Sequence, residues 1–348
     1  MKAYRENHIE IIDFLRGLAA LSVVLFHFSG STIASIKPNY VTDFFEWGRL
    51  GVQVFFVISG FIIPYAMHAS SYKVKDFGSF IFRRFLRINP PSYISILLVV
   101  GLYYAAIFLL GRPIKGWDWP GTDLYTILGN ITYFYEFFDV RPYIDVYWTL
   151  EVEFQYYLFM GAFYPVMMAL TKKPFWLSVV FLGYATFSMW PALLIFPFFS
   201  VSSYFIMGNL LFLYKKGYIN REYFVPAIVI AMLYCNLQGG VPYAYSGVIA
   251  VLIIAFVRFT HPVTTFLGNI SYSLYITHSF AGFAMEIVMN RVIGTEFSMP
   301  VRTLLVIPYV LWSILFAWIF YQLFERPFIR VSKKLTSTKK RPQHEAAA

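Results

Sequence analysis

The sequence predicts an all-α, polytopic membrane protein of about ten transmembrane helices with both termini in the cytoplasm. Three observations predict it. Of the 348 residues 59% are hydrophobic and only 13% charged, about half the charged share of a soluble domain. Several apolar runs reach the length that a bilayer demands. The basic residues then fall in short stretches between those runs, which is the distribution that fixes orientation. Lipid admits only helices or closed barrels, and these runs are too long for barrel strands.

Taken in order, Lys2 and Arg5 precede a first span from Ile9 to Ser29, placing the N-terminus inside. Charges interrupt this run and no small-residue cleavage site follows, so it reads as a span rather than a signal peptide. Span two covers Leu50 to Met67, followed by the strongly basic Lys73, Lys75, Arg83, Arg84 and Arg87. Span three runs from Ser92 to Leu110. The next loop is acidic on balance, with Asp118, Asp123, Glu136, Asp139 and Asp145, and suits the outside. Within it, 124–138 is apolar enough for a re-entrant or eleventh segment but short for a span.

Span four (Tyr147 to Leu170) ends at Lys172 and Lys173. Spans five (Phe175 to Pro191) and six (Leu193 to Tyr214) form a hairpin closed by Lys215, Lys216 and Arg221. Spans seven (Phe224 to Leu237), eight (Tyr243 to Val257), nine (Val263 to Met285) and ten (Val301 to Phe324) complete the set. The expected division is one integral-membrane domain over 1–330 and a basic, disordered cytoplasmic tail over 331–348. The net charge of +10 lies largely in these loops and the tail, so nucleic acid is not an expected partner. Cys235 is the one cysteine, which excludes a disulfide and a cysteine metal cluster. No internal repeat supports a transporter built from duplicated halves.

Ionisable side chains inside the spans single out a site, because each costs several kcal/mol to bring into hydrocarbon. The first span holds three. At 100° per residue Arg16 and His27 lie within about 20° of one another, Asp13 falls on the same side, and roughly 16 Å of axial rise separates Arg16 from His27. One face thus carries a carboxylate and a guanidinium near one surface and an imidazole near the other. Arg84 and Arg87, three apart, are neighbours on a helix and present forked guanidiniums suited to phosphate oxygens. The plainer reading is a juxtamembrane cluster that holds anionic headgroups.

In span four Glu153 lies nearly two turns in, where a carboxylate must be paired or neutral. Its expected depth matches that of His27, so a carboxylate–imidazole pair is the expectation, with a structural interhelical bond as the alternative. Ser271, Tyr275 and His278 form an i, i+4, i+7 polar stripe in span nine, to which a supporting role is assigned. No metal-ligand spacing, P-loop or GxGxxG occurs, so neither a metal nor a nucleotide-hydrolysis site is expected. Most of the 38 Phe, 27 Tyr and 8 Trp read as lipid-facing bulk or interfacial belts.

Together these pieces resemble the integral-membrane acyltransferase-3 family, bacterial enzymes that O-acylate surface and exported glycans. The resemblance runs from about Ile9 to Pro327. It rests on Arg16 and His27 with ten residues between them and Asp13 before them, on the Gly51–Phe61 segment, and on the Arg84/Arg87 pair. It rests further on Trp148-Thr-Leu-x-x-Glu153-x-x-x-Tyr157, on Ser271 through His278, and on Glu325-Arg-Pro327. Two departures stand out: Phe154 follows Glu153 where many members have a second acidic residue, and no hydrolase-like domain follows span ten.

The resemblance implies an acyl-coenzyme A donor, most often acetyl-CoA, and a hydroxyl acceptor on an exopolysaccharide, cell-surface glycan or lipid-linked precursor. It implies a bacterial inner-membrane protein whose partners are lipid and that glycan, with homo-oligomerisation left open. Arg84, Arg87 and Arg16 are expected to meet the donor's phosphates, and His27 to serve as general base supported by Glu153, with Asp13 pairing Arg16. Trp148, Tyr157, Ser271, Tyr275 and His278 are expected to support the substrate. A covalent acyl-histidine, a small-molecule acceptor, and a conduit for an acyl donor or lipid-linked sugar remain the alternatives.

Overall fold

The computed structural model describes residues 10–31, 40–111, 119, 121–186, 196–292 and 299–337. Among them every regular element is helical. The helices are α1 (Glu10–Phe26, continued by a π turn His27–Ser31), α2 (Tyr40–Glu46), α3 (Gly51–Ala69) and α4 (Phe77–Leu110). Next come α5 (Leu124–Thr132), α6 (Tyr135–Phe138), α7 (Trp148–Leu170) and α8 (Pro174–Thr186). Then follow α9 (Ser202–Lys215), α10 (Arg221–Gly239), α11 (Val241–Phe256) and α12 (Pro262–Val292). Last are α13 (Met299–Leu304), α14 (Val306–Phe320), a second π turn Tyr321–Glu325, and α15 (Arg326–Ser337).

Four helical stretches combine the length and apolarity that a bilayer crossing requires: Glu10–Ser29, Asp43–Ala69, Val74–Leu109 and Val306–Leu335. The chain is a membrane protein on that ground. Helices α8 and α11 are apolar but shorter, while α7 loses apolarity to Glu151, Glu153 and Gln155. The final residues of predicted span five and the start of span six, 187–195, lie outside the described residues.

Helix α1 is the hub, packed on α12 along one side and on α3 along the other. Small residues allow these approaches, as in lipid-embedded bundles generally. A Cβ on Gly268 would stand 2.4 Å from the Asp13 carbonyl oxygen, and one on Gly17 would meet the Leu267 Cβ at 2.8 Å. With Phe28 against Gly282 farther along, α1 and α12 run parallel. The α3–α9 crossing is closer still: a Cβ on Gly60 or Gly208 would fall 2.4 or 2.3 Å from the carbonyl oxygens of Phe205 and Val57.

Three boundaries differ from the sequence reading. The basic stretch before span three is not a loop, since α4 carries Arg83, Arg84 and Arg87 and continues through Pro90 and Pro91. The region 124–138 forms two helices of 9 and 4 residues, too short to cross about 30 Å of hydrocarbon. It is held by side chains instead: Asn130 donates to Thr126 O and Arg141 O and accepts from Tyr143 N, while Tyr133 bonds Ser92 on α4. Glu151 of α7 is buried there and accepts from Gln155 and from the backbone N–H groups of Tyr135 and Glu136. Finally, 331–337 is helix rather than disordered tail, because α15 lays an amphipathic face on α4, where Ser332 donates to Arg83 O. Residues 338–348 lie outside the described residues.

Candidate functional site

Helices α1, α3, α4, α7 and α12 enclose a cavity of about 250 Å³. Its polar lining consists of Arg16 from α1, Ser59 from α3, Arg84 and Arg87 from α4, Thr149, Glu153 and Tyr157 from α7, and Ser271, Tyr272 and Tyr275 from α12. Apolar residues of α3, among them Val52, Phe55, Phe56 and Ile62, form the remaining wall. Three guanidiniums therefore meet one lining carboxylate, and the cavity is cationic in surroundings that disfavour an unpaired charge.

Local structure fixes this set. The three-residue spacing in α4 puts Arg84 and Arg87 on one face, and Arg84 lies 5.3 Å from the Tyr157 ring centroid and 5.6 Å from that of Phe80. Such guanidinium–ring contacts hold the head group without consuming its hydrogen-bond donors. Tyr272 donates to Ile88 O at 2.7 Å and so ties α12 to the turn between the arginines and the prolines. Glu153 accepts from Ser59 at 3.2 Å and from the Tyr157 hydroxyl, one turn on in its own helix. Arg16 lies within electrostatic reach of Arg87, Glu325, Asp13 and Glu153.

The structure divides the residues singled out from the sequence into two groups. Arg16, Arg84, Arg87, Glu153, Tyr157, Ser271 and Tyr275 line one cavity. His27 and His278 stand beyond its far end, past Tyr275, with their ring centroids 5.0 Å apart and His278 6.1 Å from Tyr275. Phe55 and Tyr275 meet edge to face at 5.8 Å, and Tyr275 is further engaged by Thr149 at 2.9 Å and Val146 O at 3.2 Å. The expected Glu153–His27 pair is therefore not formed. Glu153 points one turn toward the arginines, because Ser59 and Tyr157 supply its donors there. Trp148 is 40% exposed and rests its ring on Phe56 at 6.1 Å, outside the lining. Asp13 also lies off the cavity, at the close approach to Gly268.

Ser59, Thr149 and Tyr272 of the lining were absent from the expected set, and so was a second carboxylate. Glu325, in the second π turn, is 2% exposed and lies within electrostatic reach of Arg87 and Arg16. It accepts the backbone N–H of Ser273 at 3.2 Å and the Ser273 hydroxyl at 2.6 Å. The sequence signal was a carboxylate closing an apolar span, which by itself resembles an interfacial charge. Among the described residues no three His, Cys, Asp or Glu side chains converge as a metal site. Chemically, the arrangement is a cationic chamber, of a charge that suits an anionic ligand, with two imidazoles beyond one end, about 16 Å along α1 from Arg16.

Comparison with known families matches residues 9–322 to the acyltransferase-3 model, described as an acyltransferase domain. Over 210 residues the chain is 29% identical to the peptidoglycan O-acetyltransferase OatA of Listeria monocytogenes, covering 56% of this chain and 30% of that protein. Over 329 residues it is 24% identical to the Staphylococcus aureus (strain COL) protein named "Putative O-acetyltransferase SACOL0978", covering 80% and 51% respectively. A Bacillus subtilis protein named "Putative peptidoglycan O-acetyltransferase YrhL" is 27% identical over 183 residues, covering 49% and 26%. The chain thus spans about half or less of the length of these relatives. No solved structure matches.

Proposed function

The chain belongs to the acyltransferase-3 family, and from that premise we propose that it moves an acyl group, most often acetyl, from cytoplasmic acyl-CoA to a hydroxyl of an envelope or exported glycan. The observation that carries this reading is the cavity lined by three guanidiniums, Arg16, Arg84 and Arg87, and by the carboxylate of Glu153. Guanidinium forks at that depth match the phosphates of coenzyme A. Glu153 and Glu325 keep the three cations from repelling one another and leave their outer donors to the ligand.

In the proposed reaction the nucleotide end is held at the arginines and the pantetheine arm passes Tyr275 toward His27. The Arg16-to-His27 rise of about 16 Å is on the order of that arm's length. His27 takes the proton of the incoming hydroxyl, the oxygen attacks the thioester carbon, the C–S bond breaks, and the proton goes to the departing thiolate. Basic segments at Lys73–Arg87, Lys172–Lys173, Lys215–Arg221 and the C-terminal helix support ten passages with both termini inside, in a bacterial cytoplasmic membrane. On that sidedness the donor enters from the inner face and the acceptor meets His27 near the outer one. Peptidoglycan is an acceptor class suggested by the names of two relatives.

The test is purified protein in nanodiscs, supplied with acetyl-CoA and a panel of envelope glycans, without another catalyst. Release of coenzyme A thiol coupled to labelling of a glycan is expected. Flux of a substrate across liposomes with no thiol release would instead mark a conduit.

A further inference from the structure

We infer that His278 is a positioning residue for His27: its Nε2 lone pair receives a ring N–H of His27, turning the opposite nitrogen of His27 toward the acceptor hydroxyl. The inference rests on the reading of His27 as general base.

The protonation pattern of His278 follows from one contact. Its Nδ1 lies 2.7 Å from the Tyr275 carbonyl oxygen, which can only accept, so Nδ1 carries the proton. A neutral imidazole protonated there bears a lone pair at Nε2. That Nε2 is fully buried and has no hydrogen-bond partner. A buried acceptor left without a donor is destabilising, so its placement needs a reason.

Three aromatic rings surround it. Phe28, with its centroid 6.2 Å away, has no donor, and the Tyr275 hydroxyl at the edge of its ring is already engaged with Thr149 and Val146 O. The third is His27, 5.0 Å away with a 40° tilt. A ring N–H donating to a ring nitrogen over about 2.9 Å, with about 1.1 Å from each centroid to its nitrogen, places two imidazoles about 5 Å apart. The observed separation is within the reach of such a bond. Parallel packing of α1 on α12 through Gly17, Gly268 and Gly282 holds the two rings at this spacing.

The energetic consequence appears during transfer. When one nitrogen of His27 accepts the hydroxyl proton, the ring becomes cationic and its other N–H, facing His278, becomes a charge-assisted donor. The contact is then stronger with the proton in flight than at rest, which is the condition for an interaction to lower a barrier. His278 neither gains nor loses a proton, and neutral His27 is restored when the thiolate is protonated.

Two substitutions separate this role from a structural one. In His278→Gln the side-chain amide reaches the Nε2 position, while in His278→Asn it reaches Nδ1 and keeps only the bond to Tyr275 O. Measured as transfer of radiolabelled acetyl from acetyl-CoA to envelope polysaccharide extracted from the expressing cells, His278→Gln is expected within a few-fold of the parent. His278→Asn is expected to lose about 10²-fold in kcat with KM for acetyl-CoA unchanged. The reverse order, or equal activity, overturns the inference. If neither variant folds, a ¹⁵N–¹⁵N coupling between the two rings in the ¹⁵N-histidine-labelled parent with acetyl-CoA bound supports it, and absence of that coupling overturns it. His27→Ala serves as the separate control: transfer surviving there sinks the general-base reading itself, whatever the His278 variants do.

Discussion

Ser273 of α12 donates both its backbone N–H and its hydroxyl to the same oxygen, Oε2, of Glu325 in the second π turn, at 3.2 and 2.6 Å. This pair of bonds anchors a buried carboxylate beside Arg16 and Arg87, and joins the end of the last long helical run to the wall of the cavity. Because the two residues act as one unit, their substitutions should not add. In a double-mutant cycle of Ser273→Ala and Glu325→Gln, followed by thermal unfolding in detergent, a coupling of about 0.5–3 kcal/mol is expected. Additive effects would show that the carboxylate is held by something else.

The arginine pair should govern donor affinity. Each charge-assisted hydrogen bond is worth about 1.5–3 kcal/mol, which corresponds to roughly tenfold or more in affinity. Replacing Arg84 and Arg87 together by Gln should therefore raise KM for acetyl-CoA at least about tenfold while the protein still inserts. A change confined to expression or topology, with KM unmoved in what is purified, would assign the pair to lipid headgroups.

The α3–α9 crossing predicts a loss of stability remote from chemistry. A methyl group on Gly60 must displace the Phe205 carbonyl oxygen, and one on Gly208 that of Val57. Overpacking of this kind costs about 1–3 kcal/mol. Gly60→Ala and Gly208→Ala should each lower the thermal midpoint in detergent, with KM for acetyl-CoA preserved in the folded fraction. Unchanged midpoints would mean that the helices are not in that contact.

Much of the site could be read from periodicity alone. Arg16 and His27 emerged on one face of a single apolar helix, and Arg84 and Arg87 as one-face neighbours, because intrahelical spacing is a property of the sequence. Depth relative to other helices is not. Glu153 was expected beside His27, yet the choice was decided by Ser59 and Tyr157, donors that lie 94 residues away and one turn on in the same helix. Glu325 was read as part of a motif but given no role in the site for the same reason, since its partners Ser273, Arg16 and Arg87 come from three separate helices. The start of span three was placed at Ser92, whereas the helix begins at Phe77 and carries Pro90 and Pro91 within it. The segment 124–138 stayed ambiguous because apolarity without length does not separate a span from a cap folded onto α4 and α7.

The central claim is that an imidazole beyond the arginine chamber handles the hydroxyl proton of acyl transfer. The most direct measurement compares purified parent protein and His27→Ala for transfer of labelled acetyl from acetyl-CoA to envelope glycan, with the thermal midpoint measured on the same samples. A fall of about 10²- to 10⁴-fold in kcat, with the midpoint and KM for acetyl-CoA little changed, is the predicted result. Transfer by His27→Ala at a rate near that of the parent would contradict it.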